Sequence, residues 1–141
     1  MASIAIQATG SLLQIGDGAS PEVFATIPEV SRIAPPTVKF DMLEVTSHDS
    51  SGGFREWIPG LLDGENANAE YNWVPSNTIH QLVRDANLDK TKKNMKVVFT
   101  GTTDNTFAYA AYVMSFGPQA DVGQILKGTA GFRMTGQPSW S

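Results

Sequence analysis

The segment Thr106–Phe116, TFAYAAYVMSF, is apolar on both faces of an extended strand. Such a strand must be covered twice, by its own core on one side and by a further body on the other. With Lys96–Thr100 it forms a candidate hairpin around a turn at Gly101–Asn105. The remaining extended runs are short and bounded by Gly and Pro. Ser11–Ile15 precedes a turn at Gly16-Asp17-Gly18. Glu22–Ile33 is strand-like, with Pro28 pushing part of it to an edge or a bulge, and Pro35-Pro36 ends it. Val38–Thr46 sets Val38, Phe40 and Met42 against Leu43 and Val45. Asn68–Val74 alternates Ala69, Tyr71 and Trp73 with Asn68, Glu70 and Asn72, which predicts a half-buried strand. Gly123–Gly136 is a last strand with Leu126, Ala130, Phe132 and Met134 on its apolar face. One helix is expected after Ser76 as N-cap, with Ile79, Leu82, Val83 and Ala86 on a single stripe. These elements predict a mostly-β (α+β) sandwich or barrel with one flanking helix, over residues 1–141 as one domain.

Composition removes several function classes. The chain has no cysteine, so a disulfide scaffold, a thiolate zinc site and a cysteine nucleophile are excluded together. Its two histidines, His48 and His80, are too few for a histidine-rich metal centre, and His80 reads as a surface or interface residue. No cofactor is expected. No apolar run is long enough for a membrane span, and Met1-Ala2-Ser3 lacks the start of a signal peptide. The expected setting is soluble and cytoplasmic at the time of synthesis.

Charge is unevenly distributed. Residues 1–70 hold ten acids against three bases (Arg32, Lys39, Arg55), whereas 71–141 hold four acids against seven bases. The run Lys90, Lys92, Lys93, Lys96 reads first as a solvated loop after the helix. The sharper reading is that the acidic half of one copy meets the basic half of the next, a heterologous contact that builds rings or filaments.

His48, Asp49, Ser50 and Ser51 contain the letters of a catalytic triad, but consecutive residues in a glycine-flanked loop do not hold base, orienter and nucleophile in the required chain. Pairs such as Glu65 and Glu70, or Glu56 and Asp63, arise by chance among fourteen acids. An enzyme is not expected. The loop Ser47–Gly60 carries a different signal. Phe54, Trp57 and Ile58 are large apolar groups in a polar, Gly-rich segment. Either they fold back onto the core, or the loop is a protruding arm that docks on another subunit, with Arg55 and Glu56 as polar partners. Aromatic and Arg side chains dominate interface energy, which supports the arm.

The stretches PEVFATIPEVSRI, TVKFDMLEVTSHDSSGGFREWIPGLLDGENANAEYNW and VGQILKGTAGFRMTGQP resemble the tail tube (major tail) proteins of long-tailed, non-contractile bacteriophages. The resemblance runs from about Gly10 to Pro138, and the pattern T-S-H-D-S-x-G-G-[FW]-R-E-[FW]-I-P-G is its most specific part. It implies a structural virion protein whose hexameric rings stack into a hollow tube for DNA delivery, with inner strands joined into one barrel around the lumen. It also implies that the Ser47–Gly60 loop reaches the adjacent ring through Ser47, His48, Asp49, Phe54, Arg55, Glu56, Trp57 and Ile58. Asn68, Glu70 and Asn72, together with Asp41 and Glu44, are the expected lumen-facing residues, in an acidic lumen along which DNA slides without specific binding. The implied partners are the protein itself, a tape-measure protein, a tail-tip initiator and a tail terminator. Two alternatives stand beside this reading: the tube protein of a contractile injection machine, and a monomeric small-molecule-binding β-barrel.

Overall fold

The computed structural model describes residues 2–101 and 103–141; Met1, and Thr102 within the predicted 101–105 turn, lie outside the described residues. Nine strands and one α-helix are found among them: β1 (Leu12–Gly16), β2 (Phe24–Thr26), β3 (Val30–Ala34), β4 (Val38–Glu44), β5 (Trp57–Gly64), β6 (Asn66–Asn72), α1 (Thr78–Asp89), β7 (Lys92–Val98), β8 (Thr106–Gln119) and β9 (Lys127–Trp140). Seven strands form one antiparallel sheet in the order β2-β1-β7-β8-β9-β6-β3, and β4 pairs with β5 alone as a two-stranded ribbon. The sheet curls until β1 and β3, far apart in that order, come into contact.

One face of the curled sheet is the core. Alternation puts Leu13 and Ile15 of β1, Met95 and Val97 of β7, Phe107, Tyr109, Ala111 and Val113 of β8, and Ala130, Phe132 and Met134 of β9 on that face, all buried. Ala67, Ala69 and Tyr71 of β6 complete it, and Val83 and Ala86 of α1 pack on it. A bulge between Val113 and Ser115 flips the phase of β8, so that Phe116 returns to the core side and meets Tyr71 and Trp73. Burial raises the phenol pKa of both Tyr71 and Tyr109 above its ordinary value.

Several local expectations change. The Glu22–Ile33 run is two strands, β2 and β3, which are the two edges of the sheet; a turn at Pro28-Glu29, with Glu29 at φ 62°, separates them. The helix cap is Asn77 rather than Ser76: its side-chain oxygen accepts from the Ile79 and His80 amides at 2.9 and 3.2 Å. The lysine run is not a loop, because Lys92, Lys93 and Lys96 lie in β7 and only Lys90 caps the helix, in the left-handed conformation. His80 is not at the surface. It is 1% exposed, accepts the Val74 amide at Nδ1 (3.1 Å) and lies 2.8 Å from the Pro28 carbonyl through Nε2. With Nδ1 used as acceptor, Nε2 carries the proton and donates to Pro28. The ring thereby ties α1 to the β2–β3 turn and stacks on Tyr71 at 4.9 Å between centroids.

His80→Ala removes a buried ring and leaves the Val74 amide without its partner, so it is expected to cost about 2–4 kcal/mol in chemical denaturation, and an unchanged midpoint would contradict that role. The raised phenol pKa values mean that folding favours neutral Tyr71 and Tyr109, a contribution present below the unfolded-chain pKa and lost as pH rises through the folded one. An alkaline titration followed at 295 nm is expected to ionise these two phenols only as near- and far-ultraviolet dichroism collapses; their ionisation in an intact fold would refute the burial.

Candidate assembly surface

β4 and β5 stand out from the sheet as an arm. Leaving the buried Pro36, the chain runs out along Val38–Glu44, turns through 45–56 and returns along Trp57–Gly64. The strand expected at Val38–Thr46 is present, but neither of its faces is buried. The segment expected as a loop to Gly60 is shorter than predicted: Trp57 and Ile58 are already on β5, opposite Glu44 and Leu43. Pro59 and Gly60 hid this strand in the sequence, and the register explains them. Gly60 and Leu61 together face the single Asp41, a bulge at which a Cβ on Gly60 would sit 2.9 Å from the Asp41 carbonyl oxygen.

Both faces of the arm carry exposed apolar groups. Val38, Phe40, Met42, Trp57 and Leu62 share one face by register, and Leu43 and Ile58 share the other, all of them exposed. Phe54 at the tip is 76% exposed, Trp57 48% and Ile58 47%, so none of the three folds back onto the core. A two-stranded ribbon is marginal in water by itself, and contiguous exposed apolar surface on this scale marks an interaction site.

The tip is closed by its own polar groups. The Ser47 amide donates to Ser50 Oγ (3.0 Å), whose hydroxyl donates to Glu56 Oε2 (2.9 Å), and the Glu56 amide donates to Thr46 Oγ1 (2.9 Å). The Asp49 amide donates to Ser47 Oγ at 3.3 Å. Ser50 thus gives its hydroxyl to Glu56 rather than to His48, and the triad letters form a turn. Arg55 approaches Glu44 at 3.9 Å. At the root, Arg133 of β9 holds Asp63 at 2.9 Å and Lys39 holds Glu65 at 2.6 Å, a hydrogen bond that raises the Lys39 pKa. Gly64 lies against Met134, whose side chain fills the place a Cβ would take. These contacts set the angle at which the arm leaves the sheet.

The residues read as lumen-facing separate into two places. Asn68 and Glu70 are exposed on the sheet face opposite the core, with Asn72 half-buried beside them, whereas Asp41 and Glu44 are on the arm. The β6 face is mixed in charge rather than acidic, because Glu70 stands across from Arg32 and Asn72 from Lys127. The second face of β8 is partly open: Thr106, Ala108 and Ala110 are half-buried, and Tyr112 and Met114 are 42% and 51% exposed. Between this face and the arm root runs an open groove of about 910 Å³, lined by Val38, Leu62, Tyr112, Arg133 and Trp140 among others. Among the described residues no helix is long and apolar enough to cross a membrane.

A curled antiparallel sheet, one helix and a projecting apolar ribbon define a subunit built for assembly, and solved structures share this fold. The tail of an empty gene transfer agent (GTA) particle superposes with a TM-score of 0.80 at 15% identity, covering 97% of this chain and 99% of that one. The SPP1 tail tube gives 0.72 at 14% identity, covering 97% and 80%. The sheath-tube complex of the PVC extracellular contractile injection system gives 0.70 at 16% identity, covering 99% and 93%. No curated protein matches the sequence. The family model for the lambda phage tail tube protein matches residues 8–141, and the chain belongs to that family. It is a structural protein of the phage tail tube, located in the virion tail.

Trp57→Ala is expected to leave the isolated subunit folded, with its stability changed by no more than about 0.5 kcal/mol, because the side chain rests on no core. Loss of the circular dichroism signal or a drop of several kcal/mol would place Trp57 in the monomer's own packing.

Proposed function

We propose that this protein closes into hexameric rings that stack into a hollow tube, with the arm of each copy seated on the adjacent ring. The observation that carries the reading is the arm itself, which holds exposed apolar side chains on both faces. Fully burying a large apolar side chain stabilises by about 1.5–3 kcal/mol, so each exposed apolar group of the arm that a neighbour covers favours the contact. The residues making this contact are Ser47, His48, Asp49, Phe54, Arg55, Glu56, Trp57 and Ile58. Rings also answer the edge problem, since β2 and β3 end the sheet with unpaired groups that a neighbouring copy can pair in a continuous barrel. The C6 symmetry of the GTA tail supports the ring number.

Asn68, Glu70, Asn72, Asp41 and Glu44 are proposed to face the lumen, where DNA passes without specific contacts. The protein acts without catalysis. It is assembled in the host cytoplasm on a tail-tip initiator, around a tape-measure protein, and capped by a terminator. A second reading, the tube of a contractile injection machine, is favoured by the likeness to the PVC tube; a sheath co-purifying with the tube distinguishes it. A monomeric ligand-binding barrel requires an enclosed cavity, and the large groove here is open.

Negative-stain electron microscopy of the concentrated protein, with and without a tail-tip extract as seed, tests the proposal. Hollow tubes of stacked rings are expected, and dispersed subunits under both conditions would contradict it. Deleting Ser50–Gly53 is expected to abolish stacking while leaving the thermal transition of the subunit in place; a melted subunit would instead assign the tip to the monomer fold.

A further inference from the structure

We infer that the arm tip of one copy docks on a specific cross-strand row of the next, Lys92–Tyr112–Arg133, on the sheet face away from the core. The inference rests on the stacking reading and names the surface that receives the arm. Register puts Lys92 of β7 opposite Tyr112 of β8, and Tyr112 opposite Arg133 of β9. Adjacent strands lie about 4.8 Å apart, so the row is an aromatic ring between two cations within about 10 Å. It points outward, because the neighbours Ala111, Val113, Phe132 and Met134 are buried. Tyr112 lies in the open groove, and Tyr and Arg are the side chains that most often anchor interfaces.

The arm has the complementary chemistry. Residues 38–64 carry five acids against two bases, and the tip presents Asp49 and Glu56 beside Phe54 and Trp57. Arg133 already holds the chain's own Asp63 at 2.9 Å, so Lys92 is the cation of the row left to meet the tip. Its own tip cannot reach the row. The seven residues of β4 carry the tip roughly 20 Å from the root, at about 3.3 Å per residue, and the ribbon does not fold back. The occupant is therefore a second copy. Tip and row are different surfaces of one chain, so the contact is heterologous and can repeat from ring to ring along a tube. The candidate lumen residues Glu70 and Asn72 lie further along β6 than Asn66, which is the residue opposite Arg133, and so stand clear of the row.

The cysteine-free sequence allows a direct test. A Phe54→Cys/Tyr112→Cys double variant, seeded into tubes and oxidised, is expected to run as a ladder of covalent multimers on a non-reducing gel, while each single variant does not. Tubes that form without a ladder would overturn the docking surface and leave stacking intact. Failure of the unmodified chain to form tubes would overturn both. Should the cysteine pair impair growth, Lys92→Glu provides the second arm. It is expected to slow seeded growth about tenfold or more with the subunit still folded, and Asp49→Lys in the same chain is expected to recover part of the rate. Growth of Lys92→Glu at the unmodified rate would refute the row.

Discussion

The β4–β5 ribbon is held by its own ladder and by two ion pairs at its root, yet it carries large apolar side chains on both faces into water. A pair of strands without a core is marginal in water until it is covered. Most other features of the chain are consistent with this one imbalance. The root is braced by Arg133 on Asp63 and Lys39 on Glu65, so the ribbon leaves the sheet at a set angle. The tip is internally hydrogen-bonded through Ser50 and Glu56, which presents Phe54 and Trp57 as a preformed surface rather than a coil ordered only on contact.

The sheet that bears the ribbon has its own core, to which no side chain of residues 38–63 belongs. Its core lies on one face of the curl, closed by α1 and by the His80 ring, which joins the helix to the β2–β3 turn. That division separates two kinds of residue. Tyr71, His80 and Phe132 hold the subunit together, whereas Phe54, Trp57 and Tyr112 have little to do with its folding. This separation lets the surface chemistry of the arm change with little effect on the core.

Much of the fold was legible from periodicity. The alternation of Ala69 and Tyr71 with Asn68 and Glu70 marked β6, the stripe of Ile79, Val83 and Ala86 marked α1, and the apolar run Thr106–Phe116 marked β8, whose second face is partly open in the subunit. β5 was not legible, because Pro59 and Gly60 in its middle read as a breaker; they sit at a bulge and next to a carbonyl that only pairing with β4 creates. His80 was misplaced for a related reason. A histidine beside the apolar stripe is a surface residue by pattern, and only the approach of Pro28 and Val74 in three dimensions gives both ring nitrogens a partner. The charge asymmetry between halves was visible as composition, but its arrangement, acids on the arm and bases across β7 and β9, required the sheet order.

The central claim is that the ribbon is exposed in the free subunit and covered in the assembled tube. Amide hydrogen exchange of residues 38–64, measured on the soluble subunit and on seeded tubes, tests this most directly. The account predicts fast exchange at the arm in the subunit and strong added protection in the tube, with the core amides of β8 and β9 protected in both. Arm amides that exchange equally fast in both states would contradict it.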